Sequence, residues 1–205
     1  MTHFNTEELI EPLANFYTKW GNCERCPLHQ TRHSIALWKG YLTCDILFIG
    51  EAPGASEDAE GIPFSGPSGL LLEDLIRDTA CEYELTQDYK DSTRRHSSEF
   101  TFAFTNTVCC YPRERWKSRP PTPEELTACQ PRLTEFIALA NPAAIVLLGM
   151  TAKSAVLISA ECNVFHLYSM PHPSSLLQTS KHEFGPKYRQ AVANLVPAFE
   201  YVGSL

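Results

Sequence analysis

The chain has 205 residues, of which 43% are hydrophobic and 20% charged, a composition typical of a folded globular protein with a sizeable core. Its formal net charge of −7 argues against a large phosphate-binding surface and leaves room for a local basic patch. No apolar run approaches the roughly 20 residues of a membrane span, and the amino terminus lacks a signal-peptide pattern. We therefore expect one cytoplasmic domain over residues 1–205, whose cysteines are metal ligands or core residues rather than disulfides.

Apolar residues at helical spacing predict an amino-terminal helix over residues 6–20, which Gly21 ends. The motif Cys23-Glu24-Arg25-Cys26-Pro27 follows, and two thiolates at this spacing can hold one metal centre from a tight turn. A redox dithiol should instead follow a strand and open a helix. A Cys₂His₂ zinc finger needs its histidines farther away than His29 and His33.

A buried strand is predicted over residues 44–50, and a glycine-rich loop from Gly50 to Gly69 connects it to a helix predicted over 70–79. In an α/β sheet, ligands bind where loops leave the carboxyl ends of strands. Glycines let the backbone approach a ligand closely. The loop also supplies three carboxylates and one aromatic ring, from Glu51, Glu57, Asp58 and Phe64. The pattern predicts a ligand pocket here.

The second predicted strand, residues 100–106, ends in Asn106. An asparagine there is commonly a turn residue, but its amide also offers a donor and an acceptor side by side. Cys109-Cys110 and a basic stretch from Arg113 to Arg119 follow. Thr122-Pro123-Glu124-Glu125 is a capping box, which predicts a helix that continues to about residue 140.

The last third alternates strands and helices, as in an α/β domain. Strands are predicted over 143–149 and 164–168, and helices over 151–159 and 185–199. His172 follows the last strand and lies between two prolines that restrict its backbone. This placement favours a functional role for the imidazole over an inert surface position.

Four motifs now stand in order along the chain: Gly50-Glu51-Ala52-Pro53-Gly54 with Pro63-Phe64-Ser65-Gly66, Thr105-Asn106 before Cys110, Thr122-Pro123-Glu124-Glu125 before Cys129, and His172-Pro173-Ser174. With Cys23 and Cys26, this set resembles the iron–sulfur branch of the uracil-DNA glycosylase superfamily, families 4 and 5, and family 4 most closely. The resemblance covers nearly the whole chain. It implies a single three-layer αβα domain around a central four-stranded parallel sheet, acting as a monomer on single- or double-stranded DNA that contains uracil.

The implied chemistry is base flipping followed by hydrolysis of the N-glycosidic bond, which leaves an abasic site for base excision repair. By resemblance, Phe64 stacks on uracil, Asn106 reads the base N3–H and O4, and His172 stabilises the anionic leaving group through O2. The implied substrate-binding set also includes Gly50, Ala52, Pro53, Gly54 and Ser174.

Ala52 stands where the family-1 enzymes have an aspartate, so another carboxylate must stabilise the oxocarbenium-like sugar or position water. The candidates are Glu51, Glu57 and Asp58. We favour Glu57 for positioning water and Glu51 for shaping the pocket.

The resemblance also implies a [4Fe–4S] cluster held by Cys23, Cys26, Cys110 and Cys129. Cys109 stands where the family often has lysine, and the choice between Cys109 and Cys110 stays open. The cluster's expected role is structural, because it ties the amino-terminal segment to the basic loop that faces DNA. The three remaining cysteines are then expected to be core thiols: Cys44, Cys81 and Cys162.

Ser65 and Pro67-Ser68 depart from the family pattern, and the loop between Cys110 and Cys129 is longer than usual. Because these departures lie near the pocket rim, a same-fold glycosylase for another modified base is one alternative. The acidic net charge motivates a second, a non-catalytic cluster-bearing module that binds DNA or a partner.

Overall fold

The computed structural model describes residues 6–86, 94–115, 117–158 and 165–205. The strands are β1 (Lys39–Gly40), β2 (Ile46–Gly50), β3 (Phe102–Asn106), β4 (Arg113–Glu114), β5 (Lys117–Ser118), β6 (Ala144–Leu148) and β7 (His166–Met170). The helices are α1 (Thr6–Trp20), α2 (Ala55–Glu60), α3 (Pro67–Thr86), α4 (Pro123–Ala140), α5 (Gly149–Ile158), α6 (Pro173–Leu177) and α7 (Lys181–Gly203).

The central sheet has the strand order β1-β3-β2-β6-β7. In this sheet β3, β2, β6 and β7 are parallel, which confirms the predicted parallel sheet. A short fifth strand, β1, was not predicted; it pairs antiparallel with β3 at the edge. The predicted strand over 164–168 lies two residues later, at His166–Met170.

Helices cover both faces of the sheet because its central strands are apolar on both sides. Alternate residues of β2 point to opposite faces: Ile46 and Phe48 pack with α3 and α7, whereas Leu47 and Ile49 pack with α1 and α4. This arrangement is the expected three-layer αβα architecture. Within the described ranges, no helix combines the length and apolarity that crossing a membrane requires.

The start of α4 confirms the predicted capping box. The side chain of Thr122 accepts from the backbone N–H of Glu125 at 3.3 Å, and the Glu125 carboxylate accepts from the backbone N–H of Thr122 at 2.8 Å. Immediately upstream, β4 and β5 form a two-stranded hairpin that carries the basic stretch. The hairpin therefore leads directly into the capped start of α4.

Candidate active site

A cavity of about 500 Å³ opens at the carboxyl ends of the parallel strands. Nine of the residues predicted from sequence line it: Glu51, Ala52, Pro53, Gly54, Glu57, Phe64, Asn106, His172 and Ser174. They come from the loops that follow β2, β3 and β7, which is where a parallel sheet places ligand contacts. The structure thus brings together side chains that are more than 100 positions apart in sequence.

Backbone hydrogen bonds join the ends of β2 and β3. The N–H of Thr107 donates to the carbonyl of Gly50 at 2.9 Å, and the N–H of Val108 donates to the carbonyl of Glu51 at 3.1 Å. The Thr107 hydroxyl donates to that same Glu51 carbonyl. These bonds fix Glu51 and Asn106 side by side at the cavity floor.

Gly50 lies beneath the cavity, where Asn106 and Phe64 converge. A Cβ at this position would lie 2.5 Å from Oδ1 of Asn106 and 2.7 Å from the Phe64 ring. Both separations are far shorter than real contacts, so glycine is needed for close approach rather than for backbone freedom. Gly50 therefore belongs to the site although it contributes no side chain.

We expect Gly50→Ala to displace one of these two side chains and to lower the free energy of unfolding by about 1–3 kcal/mol, as overpacking does elsewhere. Urea denaturation measures this directly. Gly185→Ala is the matched control, since a Cβ there meets only the end of Arg189, at 3.7 Å. Equal stability of the two variants would contradict the close approach at Gly50.

Phe64 is held in an uncommon backbone conformation, with φ of 57°. A left-handed aromatic residue persists only where its surroundings enforce it, and such residues cluster at functional sites. Lys39 donates to the Phe64 carbonyl at 3.0 Å and pairs with Glu73 at 2.8 Å. A Cβ at Gly69 would lie 2.0 Å from that carbonyl. The ring is thus positioned firmly against the cavity.

Asn106 ends β3 and is 3% exposed. Among the residues that the structure describes, none hydrogen-bonds to its side-chain amide. Its backbone carbonyl accepts from Arg132. The side-chain amide therefore offers one donor and one acceptor, side by side, to a ligand with the complementary edge.

His172 is the N-cap of α6 and is fixed between Pro171 and Pro173. The backbone N–H of Ser174 donates to Nδ1 at 3.2 Å, and the Ser174 hydroxyl lies 2.8 Å from the same nitrogen. Burial lowers the pKa of His172, and the negative charges of Glu51 and Glu57 raise it by less than burial lowers it. The ring is thus neutral at pH 7, carries its proton on Nε2, and can donate into the cavity.

The three candidate carboxylates have different surroundings. Glu57 closes the loop on itself: its Oε2 accepts from the Gly54 N–H at 3.0 Å and its Oε1 accepts from the Gly66 N–H at 3.1 Å. Asp58 is buried and accepts from the backbone N–H groups of His33 and Ser34, away from the cavity. Because these two carboxylates accept from backbone N–H groups, the structure disfavours the expected use of Glu57 for positioning water.

Glu51 keeps one carboxylate oxygen free of protein partners among the described residues. Its Oε2 accepts from the hydroxyl of Thr151, at the start of α5. Thr151 was not predicted from sequence. It follows the carboxyl end of β6, and the rule that ligands bind at strand ends could have singled it out.

The cavity rim combines a basic hairpin with an exposed apolar side chain. Arg119 lines the rim, and its guanidinium pairs with both carboxylate oxygens of Glu125, at 2.8 and 2.6 Å. This pairing lowers the pKa of Glu125 and anchors the hairpin. Met150, which also lines the cavity, is 73% exposed.

A second cavity is lined by apolar residues, by three arginines and by five cysteines: Cys23, Cys26, Cys109, Cys110 and Cys129. Within the described ranges, no three histidine, cysteine or acidic side chains converge tightly enough for a single metal ion. A sulfur-only donor set beside arginines suits an iron–sulfur cluster, whose thiolates bind different corners and therefore stay farther apart.

Two arginines contact the sulfurs. Arg32 donates to Sγ of Cys110 at 3.4 Å, and Arg132 donates to Sγ of Cys129 at 3.8 Å. A hydrogen bond with Cys109 and the charge of Arg132 lower the pKa of Cys129, whereas burial raises the pKa of Cys110 to about 11. Metal binding at these two sulfurs would require both of them as thiolates.

Cys109 and Cys110 both line this cavity, but their other neighbours differ. Cys110 packs beside Cys26 and Leu28, at the amino-terminal C-x-x-C turn. Cys109 packs into the core between the sheet and α4.

Of the expected core thiols, Cys44 is buried, Cys81 is exposed on α3, and Cys162 lies outside the described residues. The expectation for Cys81 was wrong because α3 turns that position toward solvent.

Comparisons with known proteins agree with this geometry. The model of the uracil DNA glycosylase superfamily matches residues 39–196. A type-4 uracil-DNA glycosylase of Thermotoga maritima is 32% identical over 193 residues, which cover 88% of this chain and 89% of that protein. Those of Pyrobaculum aerophilum and Sulfurisphaera tokodaii are 33% and 36% identical, over 66% and 62% of this chain and 60% and 50% of their own lengths.

Proposed function

The chain belongs to the uracil DNA glycosylase superfamily, and from this premise we propose that it removes uracil from DNA by hydrolysing the N-glycosidic bond. One observation carries the proposal: Phe64, Asn106 and His172 line a single cavity at the carboxyl ends of the parallel strands. An aromatic ring, a free amide and a neutral imidazole are the groups that extrusion, reading and release of a pyrimidine require. One chain supplies all of them, so the proposed site needs no residue from a second subunit.

Phe64 and Asn106 bind the extruded base. The Phe64 ring stacks on the pyrimidine, and its enforced backbone conformation keeps that platform in place. Asn106 accepts from N3–H of uracil and donates to O4. Cytosine presents the reverse pattern at these positions, so the same amide rejects it.

His172 stabilises the leaving group. Its Nε2–H donates to O2 of uracil as negative charge develops there, while Ser174 holds Nδ1 and fixes the ring. Because the imidazole is already neutral, no proton transfer is needed before it donates. Backbone N–H groups of Glu51 and Ala52 lie at the same cavity and can assist.

We assign the catalytic carboxylate to Glu51, and this assignment revises the one favoured from sequence. Glu51 lies at the cavity floor, and Thr151 occupies only Oε2, so Oε1 can face the oxocarbenium-like sugar or its attacking water. Glu57 instead keeps the loop closed through Gly54 and Gly66. Its role is to preserve the shape of the pocket.

Residues of the hairpin supply the contacts to DNA. Arg113, Arg115 and Lys117 belong to the hairpin whose residues Ser118 and Arg119 line the cavity, so we expect them to meet the phosphates that flank an extruded nucleotide. The net charge of −7 makes this local basic patch the natural site for the backbone. Anchoring by Arg119 and Glu125 fixes the patch relative to the pocket.

We propose that Cys23, Cys26, Cys110 and Cys129 hold a [4Fe–4S] cluster. When bound, such a cluster cross-links the segments that carry its thiolates and can exchange an electron. In this chain, the segments are the C-x-x-C turn after α1 and the region between β3 and α4 that carries the hairpin. The cysteines therefore tie the amino-terminal segment to the DNA-facing surface.

We expect Cys110→Ala to abolish the visible absorption of the cluster and most bound iron, because Cys110 faces the C-x-x-C turn. Cys109→Ala is the matched control, and it should keep both because Cys109 faces the core. Iron analysis and absorption spectra after anaerobic purification distinguish the two. The opposite result would make Cys109 the ligand.

A single-turnover assay tests the proposed function. Single- and double-stranded oligonucleotides that carry one uracil are incubated with excess enzyme, and the abasic product is cleaved with alkali. We expect uracil release and no strand break before alkali, since no lysine is placed as a Schiff-base nucleophile among the cavity-lining residues. No release by protein with an intact cluster spectrum would overturn the proposal and direct a screen to other modified bases.

A further inference from the structure

Arg132 is a fully buried cation on α4 that the proposed chemistry does not use. It is 1% exposed, and within the described residues no carboxylate forms an ion pair with it. Burying an unpaired guanidinium is costly, so its neighbours must compensate the charge. The Cys129 sulfur lies 3.8 Å from Nη2, and Arg132 lines the same cavity as Cys109 and Cys110. A thiolate-ligated cluster would supply the compensating negative charge.

The same guanidinium contacts the end of β3. Its Nη1 donates to the Thr105 hydroxyl at 2.8 Å, and its Nη2 donates to the carbonyls of Asn106 and of Thr107, the latter at 3.1 Å. The Nη2 nitrogen also contacts Sγ of Cys129 at 3.8 Å. One rigid, planar group therefore joins a cluster ligand to the residue that reads the base.

These bonds matter because the strand ladder ends here. Gly50 is the last residue of β2 to pair with β3, so the carbonyl of Thr107 lies beyond the register. Buried carbonyls need donors, and Arg132 supplies them at this point. The planar fork sets the direction of the Asn106 backbone, and through it the direction of the free amide.

We propose that Arg132 is a positioning residue that couples cluster ligation to base recognition, by holding the Asn106 backbone with the same guanidinium that contacts the Cys129 sulfur. The inference rests on the proposed function and deepens it. Loss of the cluster then weakens reading of uracil directly, and not only through general loosening of the hairpin. Because coupling between two sites is reciprocal, occupancy of the base pocket should also be sensed at the cluster.

Arg32 offers a matched control. It also donates to a proposed cluster ligand, Cys110 at 3.4 Å, but its other bond is to the carbonyl of Cys23 at 2.6 Å and not to β3. Arg32→Lys and Arg132→Lys each keep a positive charge and remove a planar fork. Only the second change removes a contact to Asn106. Arg132→Met extends the series, and the lysine variant keeps the test valid if the methionine variant does not fold.

The experiment has two readouts on cluster-loaded protein. The first is the affinity for an oligonucleotide with 2′-fluoro-2′-deoxyuridine, which binds without being cleaved, relative to its cytosine counterpart. Groups that hydrogen-bond to metal ligands are commonly worth roughly 10- to 100-fold in metal affinity or activity. We expect Arg132→Lys to reduce the uracil preference by about that factor and Arg32→Lys to keep it within a few-fold.

The second readout is the visible circular dichroism of the cluster when the fluorinated oligonucleotide is added. We expect a change in the parent and in Arg32→Lys, and none in Arg132→Lys with the same iron content. An unchanged uracil preference in Arg132→Lys, or an equal loss in Arg32→Lys, would overturn this inference alone. A parent that neither releases uracil nor prefers the uracil oligonucleotide would instead remove the proposed function, and this inference with it.

Discussion

Replacing His172 by alanine should slow uracil release by roughly 10²- to 10³-fold, the usual effect of removing one donor aimed at developing negative charge. The imidazole is held for this task by Ser174 at Nδ1 and by the prolines on either side. Single-turnover rates at saturating enzyme measure the chemical step. Affinity for the fluorinated oligonucleotide should change little, because the donor matters most in the transition state.

The neighbouring serines provide the control. Ser174→Ala removes the hydroxyl next to Nδ1 and should slow release several-fold, whereas Ser175→Ala alters only an exposed hydroxyl that donates to the His172 carbonyl. The Ser175 variant should match the parent. A His172→Ala rate within tenfold of the parent would place leaving-group stabilisation elsewhere, on the backbone amides of Glu51 and Ala52.

The single-turnover rate of uracil release should fall at acid pH, when His172 becomes protonated. Burial lowers the pKa of His172 below its ordinary value of 6.5, so the neutral ring persists as the pH falls through 6.5. Protonation at lower pH places a proton on Nδ1, where it opposes the N–H of Ser174. We therefore expect the acid limb of the single-turnover rate to lie below pH 6.5 and to be absent from the His172→Ala profile.

The features that the sequence predicted well are local. The apolar run of β2, the capping box of α4 and the histidine between two prolines each depend on residues within a few positions of one another. Parallel-sheet topology then places the ends of the predicted strands along one edge. The resemblance implied that Asn106 and His172 share one pocket, and this topology is the physical reason that both line the same cavity.

Features that depend on distant contacts escaped prediction. Glu57 appeared catalytic because it lies in the loop, but its carboxylate reaches the amide of Gly66, nine positions away. Thr151 meets Glu51 across 100 positions, and Arg132 meets Asn106 across 26. No periodicity or spacing encodes such pairs, because only the packing of α4 and α5 on the sheet brings them together.

Asn106→Ala should reduce uracil release by roughly 10²- to 10⁴-fold, since it leaves two buried polar groups of the base unpaired at about 1–3 kcal/mol each. Its amide is the only side-chain donor–acceptor pair of its kind among the described cavity-lining residues. In contrast to His172→Ala, this change should weaken binding of the fluorinated oligonucleotide as well as the rate. Asn194→Ala, on the outer surface of α7, is the control and should match the parent.

The preference for uracil over cytosine distinguishes recognition by the Asn106 amide from exclusion by the shape of the pocket. If Asn106 reads the edge of uracil, its alanine variant should lose the preference for uracil over cytosine while Phe64 still stacks on either ring. A variant that is slow but equally selective would mean that the pocket excludes cytosine by backbone groups or by size. The joint loss of rate and selectivity is therefore the stronger evidence, because damage to the fold lowers the rate without changing which base is preferred.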